Sequence, residues 1–449
     1  MNIFGKAFRV SIFGESHGEG PGIVIDGCPA GLPLTVDDFL PDLERRKGGQ
    51  QKGTTPRKED DLPIFKSGIF NGLTTGAPIA IFFENNNTRS GDYAKQRAIP
   101  RPGHADFVAS KKYGGYEDYR GGGHFSGRLT VCLVAAGVVA KKILQVSKQG
   151  TWCNNINVVS TITEIGGEQD IEKGLEKAIA NKDSVGGIVE CRVNGLPVGI
   201  GEPFWDSVES VISHAVFAIP AVRGIEFGTG FAAAKMFGVD HNDAIEDMTG
   251  KTNTNHAGGI VGGITNSNEL VFRIAIKPTS STPKDQFTLN WETGKKEDFS
   301  VKGRHDLCIA LRVPPVLEAV TAMCLADLAL QEHLIPRVLH IQHPGTASEK
   351  EQLIYHVTTP AEWKLAEKEG FYVAPSLLAE GFIHLSKAHQ VAGVLERYYS
   401  GQTGLILLTV DPAKLTVPLK YELAPALHEW FPHIYGTIPV DAVVAVEKI

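Results

Sequence analysis

Residues 119–147 read YRGGGHFSGRLTVCLVAAGVVAKKILQVS, three glycines set between arginines and followed at once by a nearly uncharged run. From Leu129 to Ser147 that run is apolar nearly all round at helical period, so the helix it predicts lies inside a core and not along a surface. Its uncharged part, Leu129 to Ala140, stops at Lys141 and Lys142 and is far shorter than the ~20 residues a membrane-spanning helix needs. Around it lie repeated short apolar segments: GIVIDG (22–27), INVVSTITEI (156–165), GGIVECRVNGLPVGIG (186–201) and ELVFRIAIKP (269–278). Gly, Pro or Asn bounds each of them, as expected of strands. A second helix, rich in Ala and Leu, is predicted from Val316 to Leu334 behind Pro314 and Pro315. Strands and helices share one core, and the fold class is α+β.

With 449 residues the chain exceeds what one core usually organises, so two domains are expected. The stretch IPRVLHIQHPGTASEKEQ (335–352) loses periodicity and gains Pro, Gly, Ser and charge. It divides a large domain, 1–335, from a small one, 353–449, with 336–352 as linker. The small domain restarts with a strand (LIYHVTT), a helix (TTPAEWKLAEKEG) with Pro360 in its first turn, and a later strand (GLILLTVDP), again α+β. No fixed-period repeat or low-complexity tract is present, which excludes solenoid and fibrous classes.

A formal net charge of −7 gives no global reason to expect nucleic-acid binding, so any anion site must be a local concentration of cations. The N-terminal segment MNIFGKAFRVSIFGESHG lacks the basic start, apolar run and cleavage site of a secretory signal, and a cytoplasmic protein is expected. Cys28, Cys132, Cys153, Cys191, Cys308 and Cys324 form no CxxC pair, which points to reduced, buried thiols. No metal is expected: HEWFPH at His428 puts its second histidine one position too late for a zinc HExxH helix. GKT at Gly250 lacks the earlier glycine of a P-loop, where Ile245 stands, and no GxGxxG lies between a strand and a helix.

Seven segments, the last three taken as one group, carry candidate chemistry. GESHG (14–18) sets His17 beside Ser16 among glycines, where an imidazole can approach a ligand and exchange protons. Arg45, Arg46, Lys47, Lys52, Arg57 and Lys58 place six cations in fourteen positions without an acid, which suits a polyanion or a solvated surface loop. In RPGHAD (101–106), Pro and Gly fix a turn before His104, a candidate acid for a leaving phosphate, or a histidine simply satisfied by Asp106. In the opening stretch, glycine amides at a helix start make an anion site with Ser126 and Arg128 as further donors. Finally, NHAGGIVGG (255–263), KPTSS (277–281) and GRHD (303–306) set glycines or hydroxyls at strand ends beside a cation.

Taken in this order, GESHG, the basic loop, RPGHAD, YRGGGHFSGR, NHAGG, KPTSS and GRHD resemble chorismate synthase along nearly all of residues 1–335. The resemblance implies a sandwich of helices between antiparallel sheets, assembled as a homotetramer. It also implies a lyase that converts 5-enolpyruvylshikimate 3-phosphate to chorismate by 1,4-elimination of phosphate, requiring reduced FMN without net redox change. It associates the chain with the shikimate pathway, aromatic amino acid biosynthesis and NADP. His17 is implied as proton source near the flavin, His104 as acid at the leaving phosphate, and Asp306 beside flavin N5, with Ser16 and Ser126 in support. Arg46, Lys52, Arg128 and Arg304 match substrate-holding positions. His124, Phe125, Ser126, Pro220, Ala221, Gly262, Lys277, Pro278, Thr279, Ser280, Ser281 and Arg304 match flavin-contacting ones. His124, Leu129 and Leu307 stand where many relatives have Arg, Glu and Pro. A substrate with two carboxylates and a phosphate beside an anionic flavin needs many cations, which gives the basic loop a purpose. Two rivals remain at this point: a flavoprotein oxidoreductase, for which no nicotinamide fingerprint is found, and a phosphate-binding module without catalysis, which would not need His17, His104 and Asp306.

Residues 353–449 resemble a small bacterial family of uncharacterised function, through YHVTT (355–359), APSL (374–377), GFIHLS (381–386) and FPHIYG (431–436). That family is distantly similar to ADP-ribosyltransferase folds. The resemblance suggests either a nucleotide-type pocket lined by His356, His384, Ser386 and His433, or an interaction or stabilising module.

Overall fold

A computed structural model describes residues 2–49, 52–55, 59–87, 97–145, 156–301, 305–339, 353–424 and 429–449. Arg57, Lys58, Ser147, Cys153, Gly303, Arg304, His428 and the linker from His340 to Gln352 lie outside the described residues. The chain divides into two compact units, Met1–Leu339 and His340–Ile449.

Among the described residues the larger unit holds two large antiparallel sheets, besides three two-stranded ones. The first has five strands, in the order Ile3–Phe4, Arg9–Phe13, Gly22–Asp26, Ile79–Phe82 and Ile64–Ser67. Its register pairs Ile23 with Ile81 and Ile25 with Ile79, so that one face is wholly buried aliphatic. The second has four strands, in the order Val222–Phe227, Leu270–Ile276, Gly187–Asn194 and Asn157–Ile165. There, Phe272 opposite Cys191 and Ile274 opposite Val189 form the buried face. Helices fill the space between. The helix Thr130–Gln145 packs on strand Gly22–Asp26 of the first sheet. The helix Pro314–Gln331 packs on Thr130–Gln145 and on strands Asn157–Ile165 and Gly187–Asn194 of the second.

The two central helices cross at Gly137, where an added Cβ would lie 2.2 Å from the Ala319 Cβ. Two acids of the long helix are buried and fully used. Asp327 accepts hydrogen bonds from the backbone N–H groups of Lys6, Ala7 and Phe8, tying the N-terminal hairpin to the helix. Glu318 accepts from Arg45, Lys141 and the Ser160 N–H. Burying these carboxylates is tolerable only because each is paired.

Both predicted helices are present, slightly displaced. Leu129 belongs to a short 3-10 turn before Thr130, and Pro314 and Pro315 form the first turn of the long helix instead of preceding it. Proline is at home there because first-turn N–H groups have no helical partner. The division between units falls after Leu339, not Ile335: Val338 pairs in parallel with Ala30, and Leu339 is buried in the same core. Lost periodicity marks the end of the last helix, while the chain beyond it still runs along the unit.

The smaller unit has one sheet of Ile354–Thr358, Ile406–Val410 and Val443–Lys448, and another of Ile383–His384, Glu429–Ile434 and Leu419–Ala424. Trp363, Tyr372, Ile383, Leu408, Ile434 and Ile438 are buried in its core. Its helix Pro360–Glu369 starts with a capping box of Thr359 and Glu362. Among the described residues no helix is long and apolar enough to cross a membrane. Cys28, Cys132, Cys191, Cys308 and Cys324 are free and buried, and burial pushes Cys28, Cys132 and Cys191 up to about 12, so these thiols are inert.

Candidate active site

The chain before Thr130 decides the shape of the site. Gly121, Gly122 and Gly123 lie at φ of 61°, 83° and 52°, a run that residues with a Cβ avoid. A Cβ on Gly121 would lie 2.4 Å from His17 Cδ2, and one on Gly122 would lie 3.1 Å from His104 Cε1. Adjacent glycines therefore let both histidines lean on one turn. The Ser16 N–H donates to the Gly123 carbonyl, and His124 Nδ1 donates to the Gly14 carbonyl at 2.9 Å, tying the GESHG turn to this wall. Behind it opens a cavity of about 690 Å³ lined by Ser16, His17, His104, Ser126, Arg128 and Asp306, among others. That volume lies well within the range of small-molecule sites.

His104 is held by its neighbours. Its Nδ1 lies 2.6 Å from Asp106 Oδ1, and Arg101 makes two side-chain hydrogen bonds to the same carboxylate, at 2.7 and 2.8 Å. A carboxylate only accepts, so Nδ1 carries the proton and Nε2 is left for chemistry. Burial disfavours ionised Asp106, but Arg101 and His104 outweigh it and hold the carboxyl well below the usual range. His305 lies close by. Burial, reinforced by Arg101, pushes it down to about 4, so this imidazole is neutral at neutral pH.

Two buried guanidiniums share one acid. Asp61 accepts from Arg46 at 2.7 Å and from Arg128, while Arg128 also donates to Asn85 Oδ1 and Arg46 to Thr130 Oγ1. Asp61 is brought down to about 2, because both arginines more than offset its burial. Asp306 accepts from the Thr55 N–H at 2.8 Å and from Arg312 at 3.0 Å. Lys47 and Lys277 add charge to the lining, so cations outnumber acids there. Arg46 Nε and Thr279 Oγ1 are buried without a hydrogen-bond partner.

The cavity also collects His124, Phe125, Pro220, Ala221, Lys277, Thr279, Ser280 and Ser281. Lys277 Nζ donates to Ser280 Oγ at 2.6 Å, and Ser280 donates to the Gly103 carbonyl, so KPTSS touches the RPGHAD turn. Three expectations differ. Gly262 sits at the tip of the hairpin joining Ile260–Val261 to Ile264–Thr265, with open space around it, and not on the cavity. Pro278 and Lys52 are likewise not lining residues, and Lys52 is exposed. The Leu307 N–H, which a proline at this position would lack, donates to the Gly53 carbonyl at 2.8 Å. Asp61, Arg101, His305 and Arg312 complete the site without having been singled out. Arg101 and His305 had a visible signal, their places in RPGHAD and GRHD.

Residues 8–330 match the chorismate synthase family. A chorismate synthase of Chitinophaga pinensis is 70% identical over 338 residues, covering 75% of this chain and 99% of that protein. The chain belongs to the chorismate synthase family. A chorismate synthase of Dehalococcoides mccartyi is 42% identical, over 75% of this chain and 99% of its own length. A crystal structure of chorismate synthase superposes with a TM-score of 0.55 at 25% identity, covering 73% of this chain and 93% of that one. Membership makes the chain a carbon–oxygen lyase that forms chorismate by eliminating phosphate, and the helices between antiparallel sheets are those of a chorismate synthase. Residues 357–446 match a separate family described as a protein of unknown function (DUF952), so the chain is a fusion. A solved structure of a Caulobacter crescentus protein is 34% identical over 22% of this chain, with a TM-score of 0.21.

Proposed function

We propose that the cavity of residues 1–339 binds 5-enolpyruvylshikimate 3-phosphate together with reduced FMN, and that His17, His104 and Asp306 move the protons of the elimination. The observation that carries this reading is the pair of histidines set against Gly121 and Gly122 in a cation-lined cavity. The surplus of cations in the lining fits two polyanionic ligands. His124, Phe125, Ser126, Pro220, Ala221, Lys277, Thr279, Ser280 and Ser281 would hold the flavin. When bound, reduced FMN supplies electron density to the allylic system as the C–O bond breaks.

The chain's own residues do the rest. His104 presents Nε2 as acid to the departing phosphate, with Nδ1 anchored on Asp106. Arg46 and Arg128, locked on Asp61, and Arg101 hold anionic groups of the substrate in fixed positions, so that charge is stabilised without reorganisation. Asp306, oriented by Thr55 and Arg312, serves removal of the ring proton. His17 exchanges a proton on the flavin side, with Ser16 and Ser126 as hydrogen-bonding support. Arg304 remains a proposed substrate and flavin contact.

A homotetramer in the cytoplasm completes the proposal. Phe204, Trp205, Phe231, Phe237 and Met248 are more than three-quarters exposed, and such apolar surface favours association. In this reading residues 353–449 are an appended module outside the elimination chemistry.

The test follows FMN fluorescence in the presence of saturating substrate, for the protein and for Lys277→Met and Arg46→Met. Stoichiometric quenching, weakened 10-fold or more by Lys277→Met for FMN and by Arg46→Met for substrate, is expected. FMN binding that is absent, or indifferent to both changes, would overturn the site.

A further inference from the structure

The smaller unit brings four side chains of opposite chemistry into one line. Strands Ile383–His384 and Glu429–Ile434 are paired with His384 directly opposite His433, so both imidazoles project from the same face. His384 Nε2 lies 3.1 Å from Glu380 Oε2, and His433 Nδ1 lies 2.6 Å from Glu422 Oε2. Carboxylates accept and do not donate, so each of these outer nitrogens carries its proton. The inner nitrogens, His384 Nδ1 and His433 Nε2, then both offer lone pairs, and they face each other at 3.2 Å. Two lone pairs so close need an electron-pair acceptor between them.

We propose that His384 and His433 bind a divalent transition-metal ion of the zinc, cobalt or nickel type, with Glu380 and Glu422 orienting the two imidazoles. The distances suit it. With metal–nitrogen bonds of ~2.1 Å, nitrogens 3.2 Å apart subtend about 100° at the metal, between octahedral and tetrahedral angles. A ligating histidine that gives its other N–H to a carboxylate is the usual arrangement, because the carboxylate fixes the tautomer and raises the donor's basicity. Imidazole nitrogen suits these ions better than calcium or magnesium.

The surroundings keep the rings in place and leave a way in. Phe382 stacks on His433 at 4.4 Å between ring centres and meets His384 edge-on at 4.7 Å. The Tyr435 hydroxyl donates to Glu422, and Lys420 lies over the Tyr435 ring at 4.3 Å. His384 is half exposed, so an ion can reach the pair from solvent. No group of three or more ligating side chains able to hold a metal occurs among the described residues, so this ion would keep its other positions for water or an exchangeable ligand. The sequence expectation of no metal rested on spacing along the chain. His433 is the second histidine of the rejected HEWFPH segment, and its partner comes from a neighbouring strand.

The experiment uses the tag-free full-length protein, stripped with EDTA and titrated with Zn²⁺ by calorimetry and with Co²⁺ by visible absorption. A single micromolar equivalent per chain is expected. His384→Ala and His433→Ala should each weaken it 10-fold or more, and Glu422→Gln by about 10- to 100-fold. His389→Ala, an exposed histidine outside the pair, should leave it unchanged. If one histidine variant fails to fold by circular dichroism, the other and Glu422→Gln decide. Binding no tighter than millimolar, or binding unaltered in folded variants, would overturn the proposal and leave a shared proton between the rings.

Discussion

Asp106→Asn isolates the element that prepares His104 for its task. Asparagine keeps the shape of the side chain but removes the charge that receives His104 Nδ1–H at 2.6 Å and two guanidinium bonds from Arg101. A hydrogen bond to a charged group is worth about 1.5–3 kcal/mol. If that interaction is spent on positioning and charging the acid in the transition state, its loss lowers kcat by about 10- to 150-fold. The affinity for substrate should change little, because the anions are held mainly by other cations. The assay is anaerobic turnover with excess reduced FMN, separating kcat from KM, with a thermal melt to confirm folding. A kcat within about threefold of the parent, or a raised KM at unchanged kcat, would refute the reasoning.

Three further outcomes follow from the same geometry. His104→Ala should lower turnover far more than it weakens substrate binding, measured by single-turnover kinetics against equilibrium binding; weaker binding with equal turnover would remove its role as acid. Residues 1–340 alone should stay active, since the site lies wholly within Met1–Leu339, and an inactive but folded truncation would show otherwise. Asp61 is held at about 2 against 3.8 for a free carboxyl, through Arg46 and Arg128, so its ionisation stabilises the fold by about 2 kcal/mol above pH 4. Since the folded value is the lower one, that contribution fades as pH falls toward 2. The stability gap between the parent and Asp61→Asn, read from urea midpoints, should narrow by roughly half on going from pH 7 to pH 3.

The parts legible in the sequence share a property: each is local. The buried helix was visible because its apolar run is unbroken, and the strands Asn157–Ile165, Gly187–Asn194 and Leu270–Ile276 because turn residues bound them. GESHG, RPGHAD and RGGGHFSGR were legible for the same reason, and all three converge on the cavity. Partners set by the fold were not. Asp61 meets Arg128 across 67 positions and Thr55 meets Asp306 across 251, and no pattern along the chain announces either. Short strands such as Ile3–Phe4 and Ile383–His384 escaped because two residues carry no period. The boundary at Leu339 was missed because the chain pairs with Ala30 outside any regular element.

Of the roles proposed for the site, dependence on the reduced flavin and the elimination itself are the most direct to check. Purified protein would be incubated under anaerobic conditions with 5-enolpyruvylshikimate 3-phosphate and chemically reduced FMN, and chorismate and phosphate would be followed together. Equal amounts of both, with neither formed when the flavin is oxidised, are the predicted result. A folded protein that binds flavin yet yields no chorismate would contradict the account, and would point to His124, Leu129 or Leu307 as marks of a changed reaction.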